Sequence, residues 1–206
     1  MITGKQLKIF DVLARKPFAE FTRKVIKKES KEKSNNALAL AINLLKHEEV
    51  LIERKIGRSG LLALNLENES TYNYIALCNN AKINQLVRLS LESLKKEFAD
   101  VTPFYSIVIF GSYAVGEQKK ESDLDIAVFI ESEEKRKKTE SVTNNAKLKS
   151  PLNMDIHIIP KEEMMDMLTN NEENLGKQIA RKHLAVYNHR IFYEIVKEGI
   201  RHGFRI

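Results

Sequence analysis

The stretch Phe110-Gly-Ser-Tyr-Ala-Val-Gly-Glu-Gln-Lys-Lys-Glu-Ser-Asp-Leu-Asp-Ile-Ala-Val128 carries the most specific pattern of this chain. It contains Gly111-Ser112 and, after ten intervening residues, Asp123-x-Asp125. Apolar runs at 106–110 and 126–130 overlap its two ends, and short apolar runs of this length are typical of buried strands. The stretch therefore predicts a strand, a tight turn with a short helix, and a second strand.

The acidic residues of this region predict a metal site. Asp123 and Asp125 are separated by one residue, so on a strand their side chains point to the same face. Asp155 lies thirty residues further on, inside the apolar run 152–159. An acid within such a run needs a partner to offset its burial. Acids on neighbouring strands can hold two divalent ions about 3.5 to 4 Å apart, the arrangement that phosphoryl chemistry uses.

The Gly-Ser pair predicts a phosphate contact. Gly111 allows a tight turn or a close backbone approach, and Ser112 is suited to cap a short helix that begins there. The unpaired N–H groups at a helix N-terminus attract anions. Taken singly, Gly-Ser and Asp-x-Asp are common, but the joint order of strand, Gly-Ser, helix, Asp-x-Asp strand and Asp strand is much more specific.

The stretch 110–128 resembles the signature of the polymerase-β-like nucleotidyltransferase superfamily, and its spacing is similar to that of the minimal nucleotidyltransferase branch. The resemblance covers about residues 100 to 200. It implies that Gly111 and Ser112 bind a nucleoside triphosphate, that Asp123 and Asp125 hold two Mg²⁺ ions, and that Asp155 helps to bind the catalytic metal and to activate the acceptor hydroxyl.

The chain departs from the family pattern at one position. Members often carry Arg or Lys just before the second glycine, where this chain has Val115. A cation for the phosphates then has to come from elsewhere, and three residues are candidates: Lys119, Lys177 and Arg181. Lys177 and Arg181 are four residues apart, which places them on one face if the segment is a helix. An exposed surface position is the alternative for both.

Composition predicts a folded intracellular protein. The 206 residues are 43% hydrophobic and 30% charged. No apolar run approaches the roughly 20 residues that cross a bilayer, and the first residues lack the apolar core of a signal peptide. We therefore expect a cytoplasmic protein without membrane contact. Cys78 is the only cysteine, so an internal disulfide is excluded.

The basic charge is concentrated at the beginning of the chain. Residues 1–66 contain 14 Lys and Arg against 7 Asp and Glu, whereas residues 67–206 contain 20 against 21. The asymmetry favours two units, of which the first meets nucleic acid. A solvated surface of mixed charge is the alternative.

Residues 1–66 predict a small domain of helices and a hairpin. Apolar spacing indicates one helix ending before Pro17, a second helix through Phe18, Phe21 and Val25, and a third over 35–47 with Ser34 as its N-cap. A β-hairpin follows, with strands at 50–56 and 61–66. This order resembles a winged helix-turn-helix domain.

The winged-helix resemblance implies a contact with double-stranded DNA. The third helix would enter the major groove with Ser34, Asn35 and Asn36, and Lys55 and Arg58 at the hairpin tip would contact phosphates. Dimerisation or protein docking is the alternative use of such a domain.

We expect an α+β protein in three parts. The winged helix-turn-helix-like domain spans 1–66, and a helical connector spans 67–99. The nucleotidyltransferase domain spans 100–206 and has a short mixed sheet flanked by helices, with strands near 105–110, 124–131 and 152–159. A charged helix at 133–147 and C-terminal helices at 161–168 and 175–196 complete it. The connector either pairs with its copy in a homodimer or packs on the catalytic domain.

These features predict Mg²⁺-dependent transfer of a nucleoside monophosphate, AMP from ATP, to a hydroxyl acceptor with release of pyrophosphate. For the minimal branch, the resemblance implies that the acceptor is a partner protein, as in toxin–antitoxin modules. Small molecules such as aminoglycosides and RNA 3′ ends are alternative acceptors. A rival hypothesis is a DNA-binding transcriptional regulator whose nucleotidyltransferase fold senses nucleotide or oligomerises without turnover.

Overall fold

A computed structural model describes residues 2–57, 59–99 and 101–206. The chain divides into two compact units, residues 1–78 and residues 79–206. Both contain helices and a small sheet, so the predicted α+β class is confirmed. None of the described helices combines the length and the apolar composition that a membrane span needs.

The first unit contains helices and one three-stranded antiparallel sheet. Its first elements are α1 Gly4–Ala14, β1 Phe21–Thr22, α2 Arg23–Glu29, α3 Asn35–His47, β2 Leu51–Ile56 and β3 Ser59–Leu64. The strand order in the sheet is β1-β3-β2. The predicted third helix is confirmed with its cap, since the Ser34 Oγ accepts a hydrogen bond from the N–H of Ala37 at 3.2 Å. The predicted hairpin is also present.

The prediction for the second helix was wrong at its start. Phe21 belongs to β1 and pairs with Leu62, and α2 begins only at Arg23. The Thr22 side chain caps that helix by accepting from the N–H of Val25. Phe18 and Phe21 fitted a helical period, but strand pairing and this cap give the backbone other partners there.

The predicted connector segment consists of two helices, α4 Glu69–Asn80 and α5 Gln85–Phe98, and the division between the units falls near the end of α4. The three-part domain scheme stays a prediction. Ile75, Leu94 and Phe98 are buried as their spacing predicts, whereas Leu86 and Leu89 are about half exposed.

The second unit is built on a four-stranded mixed sheet of order β6-β5-β4-β7. The strand β4 pairs antiparallel with both β5 and β7, and β5 pairs parallel with β6. Every residue of β4 is buried, so the sheet forms the centre of this unit's core. The elements after α5 are β4 Tyr105–Ile109, α6 Gly111–Val115, β5 Leu124–Ile130, a 3₁₀ turn Glu133–Lys135, α7 Arg136–Lys149, β6 Met154–Pro160, α8 Lys161–Thr169, α9 Leu175–Arg181, β7 Leu184–Tyr187 and α10 His189–Arg201.

The predicted continuous helix over 175–196 is wrong. The strand β7 interrupts it, and the chain turns into α10 through Asn188, whose φ of 45° lies in the left-handed region. A run of four residues, Leu-Ala-Val-Tyr, is too short for its period to separate strand from helix. Pairing with β4 makes this segment a strand, because β4 supplies hydrogen-bond partners for its buried backbone.

Two histidines of the second unit have lowered pKa values, so we expect this unit to be less stable at low pH. Burial lowers the pKa of His183 to about 4, and burial together with nearby Lys95 lowers the pKa of His189 to about 4. In the unfolded chain a histidine has a pKa near 6.5. Between pH 6.5 and about pH 4 the unfolded state therefore binds more protons than the folded state. The free energy of unfolding should therefore fall as the pH drops through this window, by up to about 3 kcal/mol per histidine.

Urea unfolding across this pH range measures the effect. The variant His183→Asn should have a shallower dependence of unfolding free energy on pH than the wild type. An unchanged slope in this variant would contradict the assignment to His183.

Candidate active site

Two of the three predicted acids are neighbours on adjacent strands. Asp125 on β5 and Asp155 on β6 are direct partners in the parallel register. Asp123 immediately precedes β5, and the side chain of Leu124 between the two acids is fully buried in the core. Alternation along the chain thus sends Leu124 inward and Asp123 and Asp125 to the other face.

Gly111 lies against the carboxylate of Asp125. A Cβ placed on Gly111 would stand 2.0 Å from the Asp125 Oδ2, and the φ of Gly111 is +62°. The N–H of Phe110 donates to the backbone oxygen of Asp125 at 3.1 Å, which holds the turn against the strand. Both the predicted close approach and the predicted turn at Gly111 are therefore present, and only glycine satisfies both.

The acids repel one another. Burial raises the pKa of Asp125, the neighbouring carboxylates of Asp155 and Asp123 raise this pKa further, and His157 opposes the shift. His157 also contacts Asp155, with 3.1 Å between the Nε2 and the Oδ2. The ring of Phe110 meets the His157 imidazole edge to face, with centroids 5.6 Å apart. A cation near Asp125 would relieve this repulsion.

A cleft of about 680 Å³ opens beside Asp125. Its lining combines the turn after β4 with α9 and the residues around it: Phe110, Gly111, Ser112, Val115, Glu117, Asp125, Glu173, Gln178, Arg181 and Lys182. The predicted capping role of Ser112 is wrong, because Phe110 is the N-cap of α6 and no side chain caps that helix. Ser112 nevertheless lies on the wall of the cleft.

The structure brings only one of the three candidate cations to the cleft. Arg181 lines it, whereas Lys177 is 7% exposed and its ammonium donates to the backbone oxygens of Asn170 and Glu172 at 2.6 and 2.7 Å. Lys177 and Arg181 both belong to α9, but Lys177 is neither a cleft cation nor an exposed surface residue, because its ammonium is buried and hydrogen-bonded. Lys119 lies in an exposed loop outside the lining.

Four lining residues had not been singled out from the sequence: Glu117, Glu173, Gln178 and Lys182. The spacing of buried Ile179 and Ala180 was a usable signal, since it turns Gln178 and Lys182 outward. The burial of Lys177 had no such signal. It depends on Gly176, where an added Cβ would stand 2.7 Å from the Cβ of Met167, so that α9 packs closely on α8.

The residues predicted to meet nucleic acid lie in the first unit. Ser34 caps α3, and Asn35 and Asn36 line a separate groove of about 520 Å³ between α2 and α3. Lys55 is exposed near the end of β2. Arg58 lies outside the described residues. The groove also carries three cations that had not been singled out: Arg23, Lys24 and Lys27.

The three acids are the candidate ligands of a divalent metal. Among the described residues, no three His, Cys, Asp or Glu side chains stand close enough to form a ready-made metal site. The donor chemistry nevertheless fits, since carboxylate oxygens are the ligands that Mg²⁺ uses, with waters and substrate phosphates completing its shell. The pairing of Asp125 with Asp155 brings two of these carboxylates together, and the charges of Asp155 and Asp123 contribute to the raised pKa of Asp125.

Part of the second unit matches a known family. Residues 91–179 match the family model of the nucleotidyltransferase domain. This part of the chain is a nucleotidyltransferase domain. The match confirms the resemblance to the polymerase-β-like superfamily and supports a transferase that moves a nucleotidyl group. It includes Gly111, Ser112 and all three acids, and it ends before Arg181 and Lys182. No curated protein and no solved structure gives a significant match.

The glycines at the two ends of α6, Gly111 and Gly116, offer a matched test of the Asp125 contact. Gly111 and Gly116 both have positive φ, at 62° and 75°, but nothing lies within 4 Å of a Cβ on Gly116. Gly116→Ala should therefore lose only the conformational preference, about 1 kcal/mol of unfolding free energy. Gly111→Ala should lose more, because its methyl group also displaces the Asp125 carboxylate.

Urea unfolding of both variants, each also combined with Asp125→Gly, measures the difference. The excess loss of Gly111→Ala should largely disappear once the Asp125 side chain is absent. Equal losses for the two alanine variants in the wild-type background would contradict the proposed contact.

Proposed function

We propose that the chain transfers AMP from ATP to a hydroxyl acceptor in a Mg²⁺-dependent reaction that releases pyrophosphate. The observation that carries this proposal is the register of Asp125 with Asp155 beside the Gly111 turn, at the wall of a cleft that also contains Arg181. Acids, a glycine turn and a cation supply the chemical needs of a bound triphosphate.

Each group has a role on the donor side of the reaction. Asp123, Asp125 and Asp155 would hold two divalent ions, and ions bound there would neutralise phosphate charge and align the attacking and leaving oxygens. The backbone at Gly111 and Ser112 binds the departing pyrophosphate, and Arg181 contacts phosphate oxygens.

Asp155 faces the acceptor. It accepts the proton of the attacking hydroxyl, and the contact of its Oδ2 with His157 fixes the orientation of the carboxylate. Attack at the α-phosphorus then forms the new P–O bond and breaks the bond to pyrophosphate. No covalent enzyme intermediate is needed.

The acceptor that we propose is a partner protein. The strand β6 is at the edge of the sheet, and the Asp155 side chain is 56% exposed. An activating carboxylate at an exposed edge is accessible to a hydroxyl on a macromolecular surface. This favours a protein acceptor over a small molecule that is enclosed in a cavity.

Labelling with ATP that carries ³²P at the α position tests the reaction. Wild-type protein with Mg²⁺ and a lysate or co-purified partner should transfer label, and Asp123→Ala combined with Asp125→Ala should abolish transfer, because the ions lose their carboxylate ligands. Glu121→Ala removes an exposed acid of the preceding loop and serves as the control. Equal labelling by the wild type and the double variant would contradict the proposal.

We propose that the first unit binds double-stranded DNA as a winged helix-turn-helix domain. The order of its elements supports this, as does the groove in which Arg23, Lys24 and Lys27 surround Asn35 and Asn36. The Nζ of Lys27 contacts the Asn35 Oδ1 at 2.5 Å, which orients the first residue of α3. Cations beside a helix N-terminus suit contacts to the DNA backbone next to base readout.

A salt titration of duplex binding by the full chain tests this second function. Lys24→Ala combined with Lys27→Ala should weaken binding and reduce the slope of log K against log salt concentration by about 2. Lys5→Ala combined with Lys8→Ala removes the same charge from α1 and should change the slope less. An equal effect of both pairs would argue against the groove.

A further inference from the structure

The guanidinium of Arg181 is already occupied by an acid of the same cleft. Its Nη1 lies 2.8 and 2.7 Å from the two carboxylate oxygens of Glu173. Its Nη2 also lies 3.4 Å from the backbone oxygen of Arg205, and the guanidinium sits 5.7 Å from the centre of the Phe204 ring. Arg181 is therefore held on one side by the C-terminal residues and on the other by Glu173.

The loop that carries Glu173 is a fixed structure. Lys177 donates to the backbone oxygens of Asn170 and Glu172 from beneath it. The Asn174 side chain donates to the Met167 backbone oxygen at 2.7 Å and accepts from the Lys177 N–H. These bonds span both sides of Glu173, so the placement of its carboxylate on Arg181 follows from a hydrogen-bonded loop.

The charges of the cleft are unsuited to a polyphosphate while Glu173 remains there. Its lining contains three acids, Glu117, Asp125 and Glu173, against two cations, Arg181 and Lys182. Metal ions bound at Asp125 would neutralise the charge of one of these acids. Glu173 has no such role, because its carboxylate competes for the same donors that a phosphate group would use.

We propose that Glu173 is an internal counter-anion that a phosphate group of the bound nucleotide displaces from Arg181. This inference rests on the proposed function and identifies a residue that sets nucleotide affinity. Glu173 and Arg181 are 55% and 37% exposed, and ion pairs of such exposure are weak. A polyphosphate with bound Mg²⁺ can therefore displace the carboxylate, whereas a ligand of low charge competes poorly with it.

The competition predicts an increase in affinity when Glu173 loses its charge. Glu173→Gln should bind Mg²⁺ with the α,β-methylene analogue of ATP about two- to fivefold more tightly than the wild type. The control is Glu172→Gln, which removes the same charge from the same loop at an exposed residue outside the cleft lining. Its affinity should stay close to that of the wild type.

A double-mutant cycle assigns the effect to Arg181. In the Arg181→Gln background, Glu173→Gln should no longer increase affinity, because the cation for which carboxylate and phosphate compete is absent. Isothermal titration calorimetry of the four proteins of the cycle and the Glu172→Gln control gives the dissociation constants.

The outcomes separate this inference from the proposed function. Nucleotide binding by the wild type with unchanged or weaker binding by Glu173→Gln would overturn the inference alone, because Glu173 would then be neutral or would position Arg181 productively. An equal gain for Glu172→Gln would also overturn it in favour of a general charge effect. Absence of nucleotide binding by every protein would overturn both the inference and the proposed function.

Discussion

The close approach of the Gly111 backbone to the Asp125 carboxylate is the constraint on which the second unit's site depends. It joins the end of β4 to the beginning of β5 without a side chain between them, and the bond from the Phe110 N–H to Asp125 fixes the distance. The parallel pairing of β5 with β6 then places Asp155 beside Asp125. A glycine that is needed only for its turn has open space where a Cβ would stand, as Gly116 has.

The three acids of the predicted metal site lie near one another at the end of the sheet. Asp125 resists ionisation because it is partly buried and because Asp155 and Asp123 are close, which makes the sheet end a place where positive charge is favoured. The cations of the cleft come from α9 and the residue after it, far along the chain. In the proposed reaction, the donor side thus depends on two segments that are distant along the chain, and the exposed sheet edge at Asp155 would face the acceptor.

Local chemistry made part of this site predictable. A signature of glycine, serine and paired acids on short apolar strands gave the turn, the strands β4 to β6 and the acids, because period-two alternation and glycine conformation act within a few residues. The third helix of the first unit followed in the same way from Ser34 and one apolar stripe.

Other features depend on contacts between separate elements, which local periodicity does not predict. The strand β7 owes its form to pairing with β4, and Lys177 is buried because Gly176 lets α9 approach Met167. The pair of Glu173 and Arg181 requires the fold of the loop between α8 and α9. Single residues of these segments look like ordinary surface lysines and glutamates, so their spacing alone did not distinguish the buried cation from the one in the cleft.

If the acids beside Gly111 bind divalent metal together with a nucleoside triphosphate, Mn²⁺ and the nucleotide should bind as one complex. The relaxation of water protons by Mn²⁺, with and without a non-hydrolysable ATP analogue, measures this binding. The wild type should form a ternary complex, and Asp125→Asn should lose it while remaining folded. Equal Mn²⁺ and nucleotide binding by the wild type and Asp125→Asn would show that these acids do not hold the metal.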